Sequence, residues 1–152
     1  MSLSEKLSAD LKSAMLKKDE KRVGVLRLLI SSIKNKIIER QMKGLNDPLG
    51  EDEVLSIINT EAKKRRESRD IFEKNGRTDL SEKESQELNI LLEYLPKQMD
   101  KSEVEAFLKD LIHKEKISEF SLLMKKASPL LKGKADSREV SEIAKLILES
   151  KK

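Results

Sequence analysis

The densest run of chemically capable side chains lies between Lys63 and Arg77, KKRRESRDIFEKNGR, where seven Lys or Arg stand against three acids. Such a run can bind phosphates or knit helices together by ion pairs. At 3.6 residues per turn, Val54, Ile58 and Phe72 trace one apolar face, and Arg65 and Arg69 fall inside it with Glu61 one turn earlier. A merely solvated charge run would keep its arginines on the other side. These two are therefore either paired internally or lining a site, and Glu61, Arg65 and Arg69 are read as a structural charge network. Lys63, Lys64 and Arg66 are expected to face outward, where they can meet phosphates. Arg77, at the corner Gly76-Arg77-Thr78-Asp79-Leu80, joins one helix end to the next start and can reach a ligand.

A second basic constellation comprises Lys125-Lys126 and Leu131-Lys132-Gly133-Lys134-Ala135-Asp136. Two helices meet there at a glycine turn flanked by lysines. Positive side chains, a permissive backbone and a helix N-terminus together favour a phosphate. Asp136 argues against an anion directly on the helix end, because its carboxylate should already cap those amides. The alternative is a short inter-helix turn with soluble flanks.

Catalytic material is sparse. The single histidine, His113, lies late in a helix, where an imidazolium suits the dipole. Glu51, Asp52 and Glu53 open a helix, where acids are expected anyway. Cysteine is absent, which removes disulfides, thiolate metal sites and a cysteine nucleophile. Zinc spacing and a Gly-rich phosphate loop after a strand are also missing. No catalytic residue, metal site or cofactor is expected.

The elements that must position these groups are helices. Hydrophobic residues make up 37% and charged residues 39%, with three Phe, one Tyr and no Trp, a profile too poor in β-formers for a sheet. Ser2 with Glu5 forms a capping box for a first helix running to about Lys17. Asp19 restarts the chain, and Val23, Leu26, Ile30, Ile33 and Ile37 trace a long second helix ending near Gly44. A turn cluster at Asn46–Gly50 precedes a third helix from about Glu51 to the Asn75-Gly76 cap. Ser81 with Glu84 reads as the capping box of a fourth helix through Leu95. Pro96 ends it and marks a domain boundary, giving a four-helix part at 1–96 and a three-helix part at 97–152. In the second part Asp100 with Glu103 caps a helix, a short helix follows from Ser118, and Asp136 with Glu139 caps the last.

The net charge of +4 is too diffuse for a dedicated nucleic-acid arm, so local clustering carries the functional reading. No apolar run approaches the roughly 20 residues of a membrane span, and the N-terminus lacks a signal-peptide layout. No membrane association is expected, and a cytoplasmic location follows by default.

The order of segments resembles the YqeY-like protein family. The matching stretches are Leu26 through Asn35 (LRLLISSIKN), Lys64-Arg65-Arg66-Glu67-Ser68, Phe72 through Leu80, Glu93-Tyr94-Leu95-Pro96-Lys97-Gln98 and Lys132-Gly133-Lys134-Ala135-Asp136. The resemblance implies an all-α protein whose C-terminal part is akin to the tail domain of the B subunit of glutamyl/aspartyl-tRNA amidotransferase, a kind of domain used to hold tRNA. It raises the expectation that Gly133 and Lys134, with Lys125, Lys126 and Lys132, meet RNA. The family also carries a label of carbon–nitrogen ligase activity with glutamine as amido donor. This chain has no counterpart of the amidotransferase's catalytic domains, so it is not expected to perform that chemistry alone. The expected partner is tRNA rather than DNA. The alternative is a helical adaptor docking on a synthetase, amidotransferase or ribosome-associated protein.

Overall fold

The computed structural model describes residues 1–150. Seven helices follow one another: α1 Leu3–Leu16, α2 Glu20–Met42, α3 Glu51–Lys74, α4 Thr78–Leu92, α5 Lys101–Glu115, α6 Phe120–Leu131 and α7 Ser137–Ser150. The fold is all-α, and no strand occurs among the described residues. Two compact units emerge, Met1–Leu95 with α1–α4 and Pro96–Lys152 with α5–α7.

Local chemistry accounts for most helix starts. Ser2 Oγ accepts from the Glu5 N–H at 3.2 Å while Glu5 accepts from the Ser2 N–H at 3.4 Å, so two free amides are satisfied reciprocally. Asp19 takes the Arg22 N–H at 3.2 Å and opens α2. Asp100 and Glu103 repeat the box at α5, with the Glu103 N–H 2.8 Å from Asp100 Oδ1. That hydrogen bond, with help from Ser102, holds the Asp100 carboxyl below its ordinary range.

The fourth helix departs from expectation. It begins at Thr78 with Arg77 in the N-cap position. Ser81 lies inside it, buried, with its hydroxyl 3.4 Å from Glu73 Oε1. Glu84 turns to Arg65 instead of capping. The Ser81/Glu84 pair has the spacing of a cap, but both side chains are claimed by α3 across the hairpin. The helix also stops at Leu92, and Leu95 is buried outside it.

In the first unit, Leu7, Leu26, Leu29, Ile58 and Leu91 are almost wholly shielded from solvent and draw on all four helices. Full burial of each such side chain contributes roughly 1.5–3 kcal/mol. The second unit closes around Val104, Leu108, Leu123, Ala127 and Ala144 from its three helices.

Candidate nucleic-acid interface

The first basic stretch occupies the last three turns of α3, which folds back on α4 through the short corner Asn75-Gly76-Arg77. Gly76 takes φ +71 there, a left-handed turn that favours glycine. The buried residues of α3 are Val54, Ile58, Glu61 and Ala62, so the core ends at Ala62. Phe72, expected to extend the apolar face, is only half-buried and belongs to neither core cluster. Beyond Ala62 the hairpin is joined by polar contacts.

Arg65 is the principal brace. Its Nη1 lies 3.2 Å from Glu84 Oε2 and 3.1 Å from Glu87 Oε2, and all three side chains are at most 24% exposed. Its Nε is buried and finds no acceptor. One guanidinium nitrogen thus holds two carboxylates on the facing helix.

Glu61, Arg65 and Arg69 nevertheless do not form a single network. Glu61 is buried but accepts from Lys64 at 3.4 Å, while Arg69 reaches its neighbour Asp70 at 3.3 Å. Sequence spacing brought Glu61 near Arg65, whereas α4 supplied the stronger acidic pair.

The outward candidates divide. Lys63 is exposed, and Lys64 is exposed but already engaged by Glu61. Arg66 is half-buried rather than fully outward, and it is not free. Arg77 is exposed at the corner and is gripped by Asp79, 3.4 Å from its Nε. That contact also lowers the Asp79 carboxyl below its ordinary range.

The second constellation has the opposite character. Gly133 is buried at φ +77, between exposed Lys132 and Lys134. Its carbonyl accepts from Gln98 Nε2 at 2.6 Å, and the same amide reaches the Pro96 carbonyl at 2.8 Å. The Lys134 carbonyl accepts from the Met99 N–H at 2.8 Å. The entry segment Pro96–Met99 therefore clamps the turn by its backbone, leaving the lysine side chains in solvent. Neither Lys132 nor Lys134 meets a carboxylate among the described residues, and Lys97 on the clamping segment is likewise exposed and unpaired.

Lys125 stands seven residues before Lys132, about two turns back along α6 from that C-cap residue. It too is exposed without an acidic partner among the described residues. Lys126 is partly neutralised by Glu115 at 3.0 Å. At the start of α7, the Arg138 N–H donates to Asp136 at 3.3 Å, so that carboxylate occupies the helix end.

Two features escaped the sequence reading as parts of a site. Lys97 and Gln98 stood in a stretch that matches the family but carried no site role, and the contact of Gln98 is with a turn 35 residues away. In the first unit, the Tyr94 hydroxyl donates to Asp10, with Lys6 Nζ 5.0 Å from the ring centre. Burial first, and then the bond to Asp10, push the Tyr94 phenol well above its ordinary pKa. Arg22 clasps Glu93 beside it at 2.6 Å, which raises the guanidinium's affinity for its proton.

Known proteins place this architecture. The model of the Yqey-like protein family matches residues 4–148. "Altered inheritance of mitochondria protein 41, mitochondrial" from Lachancea thermotolerans is 34% identical over 146 residues, covering 95% of this chain and 76% of that protein. Proteins of the same name from Kluyveromyces lactis and Eremothecium gossypii are 38% and 40% identical over 122 and 89 residues. Those matches span 63% and 46% of the respective relatives. The relatives' mitochondrial names overturn the expectation of a cytoplasmic location. That expectation rested on a missing signal-peptide layout, and a helical core's composition carries no record of its compartment. The matched residues include both basic constellations and the corner between α3 and α4, and the chain belongs to the YqeY-like protein family.

Proposed function

We propose that the protein is a non-catalytic accessory that holds tRNA through the second unit. The observation that carries this reading is the clamped turn, with solvent-facing Lys132 and Lys134 fixed around a buried Gly133. Lys97 and Lys125 extend the unpaired positive surface. A hydrogen-bonded backbone with solvent-exposed cations suits recognition by phosphate charge and shape. With 3% aromatic residues, stacking on bases would contribute little. Resemblance to the amidotransferase tail supports the same reading. In this proposal amide transfer from glutamine belongs to partner domains, and the purified chain neither hydrolyses glutamine nor turns over ATP.

Titration of labelled tRNA at two salt concentrations tests it. Binding should weaken with salt at a log–log slope of about −2 or steeper, as expected when several phosphates are neutralised. Absence of binding at low salt would end the proposal. A second reading, a helical adaptor for a protein of tRNA aminoacylation or amidation, draws support from the exposed apolar side chains Met15, Leu16 and Leu28. Pull-down with and without ribonuclease separates the two, since an adaptor keeps its partner after RNA is removed.

A further inference from the structure

Two residues at the corner between α1 and α2 occupy positions that other residues would fill more easily. Lys18 sits in the left-handed region at φ 57. The Asp19 N–H donates to the Ala14 carbonyl at 3.0 Å and the Lys18 N–H to Met15 at 3.2 Å, a helix stop in which glycine is the usual occupant of Lys18's position. Six residues on, the pattern inverts. Gly24 lies inside α2, where alanine would strengthen the helix, yet a methyl group there would meet nothing within 4 Å. Packing within the fold requires neither a side chain at Lys18 nor the lack of one at Gly24.

Both residues line the same hollow, about 400 Å³ in volume, together with Met15, Glu20, Val23 and Arg27. Met15 is 49% exposed, Leu16 86% and Leu28 40%, so the neighbourhood keeps apolar surface in water. Lys17, Lys18, Lys21 and Arg27 are exposed and pair with no carboxylate among the described residues. The neighbouring Arg22 is engaged by Asp19 and Glu93.

We propose that this corner docks an acidic segment of a partner protein. One bulky apolar side chain enters the hollow over Gly24, and flanking carboxylates meet Lys18, Lys21 and Arg27. The absent side chain at Gly24 leaves the room, and the strained Lys18 keeps a cation at its rim. A concave hollow fits a single side chain better than a lipid surface. RNA would leave the exposed Met15, Leu16 and Leu28 uncovered. This surface belongs to the first unit and stands independently of the tRNA reading of the second.

Panning a random peptide library on the full chain supplies the probe, and the selected peptides are titrated against wild type, Gly24→Leu and the double variant Lys18→Glu/Arg27→Glu. Gly24→Leu fills the hollow with a better helix former, so an undiminished melting temperature distinguishes blocked docking from unfolding. The expected peptides carry acids around one bulky apolar residue, weaken with salt, and lose at least about tenfold in affinity on each variant. Lys132→Glu/Lys134→Glu should leave that binding unchanged. Failure to enrich such peptides, or equal binding to wild type and variants, overturns the proposal. Phosphatidylglycerol vesicles and tRNA are titrated in parallel. Should either bind and be blocked by Gly24→Leu while no peptide is, the face serves lipid or RNA and the proposal falls.

Discussion

The α3–α4 corner and the Gly133 turn are both basic, yet their charges are spent differently. At the corner, Arg65 is held by Glu84 and Glu87, Arg69 by Asp70, Arg77 by Asp79 and Lys64 by Glu61. At the turn, the backbone carbonyls are bound by Gln98 and Met99, while the lysine side chains stay in water. A cation already satisfied by carboxylates must break those contacts to meet a phosphate. A cation beside a clamped backbone needs no such exchange. Density of positive charge in the sequence is therefore a poorer guide to a binding surface than the partners those charges already have.

The sharpest way to break this contrast is to remove the brace. Arg65→Ala strands Glu84 and Glu87 on a face with limited solvent access and should lower stability by about 2 kcal/mol in urea unfolding, below the cost for a fully buried pair because Arg65 is partly exposed. tRNA affinity should stay at the wild-type value. Loss of RNA binding with unchanged stability would show that Arg65 belongs to an interface. The converse change, Lys132→Glu with Lys134→Glu, should weaken tRNA binding by about tenfold or more (about 1.4 kcal/mol) and flatten the salt slope, with the melting temperature unchanged. Survival of binding would remove the turn from the site.

Gly133→Ala probes the clamp between those two extremes. A side chain at φ +77 costs about 1 kcal/mol of strain, while the Cβ would meet Pro96 only at an ordinary 3.7 Å. The expected result is modest thermal destabilisation and a smaller loss of RNA affinity than the double charge reversal gives.

The smallest effect concerns Tyr94. Its raised pKa means that the unfolded chain releases the phenolic proton before the folded one does. The stabilisation is complete below the ordinary tyrosine value of about 10 and is lost as pH rises above it, toward the raised folded value. Chemical denaturation on either side of that value should show a slope that Tyr94→Phe reduces. An identical slope in the variant would mean that other groups, lysines foremost, set the alkaline limit.

Much of the helical order could be read from local signals, because a capping box or an acid before an apolar stripe states its own geometry. Ser2/Glu5 and Asp100/Glu103 behave as their spacing requires. Ser81/Glu84 has the same spacing and fails, because Glu73 and Arg65 on α3 compete for those side chains. The inward placement of Arg65 was likewise visible from periodicity. Its partners were not, since they lie 19 and 22 positions later on another helix and face it only once the hairpin closes. The Gly133-Lys134 turn could be recognised as a special backbone site. That Gln98 clamps it could not, because a glutamine after a proline announces no distant partner. Arg66 shows the same limit: its place in a charge run suggested exposure, but it is half-buried.

Tyr94 carries a further consequence through its uniqueness. It is the only tyrosine, and tryptophan is absent, so the chain's intrinsic fluorescence beyond that of phenylalanine originates at one buried point where α1 meets the end of α4. The first unit therefore carries a built-in optical reporter that the second lacks. Emission followed through a denaturant series reads the opening of the first unit's core. Circular dichroism over the same series sums the helices of both, so two measurements on unmodified protein can tell whether the units melt as one or in turn.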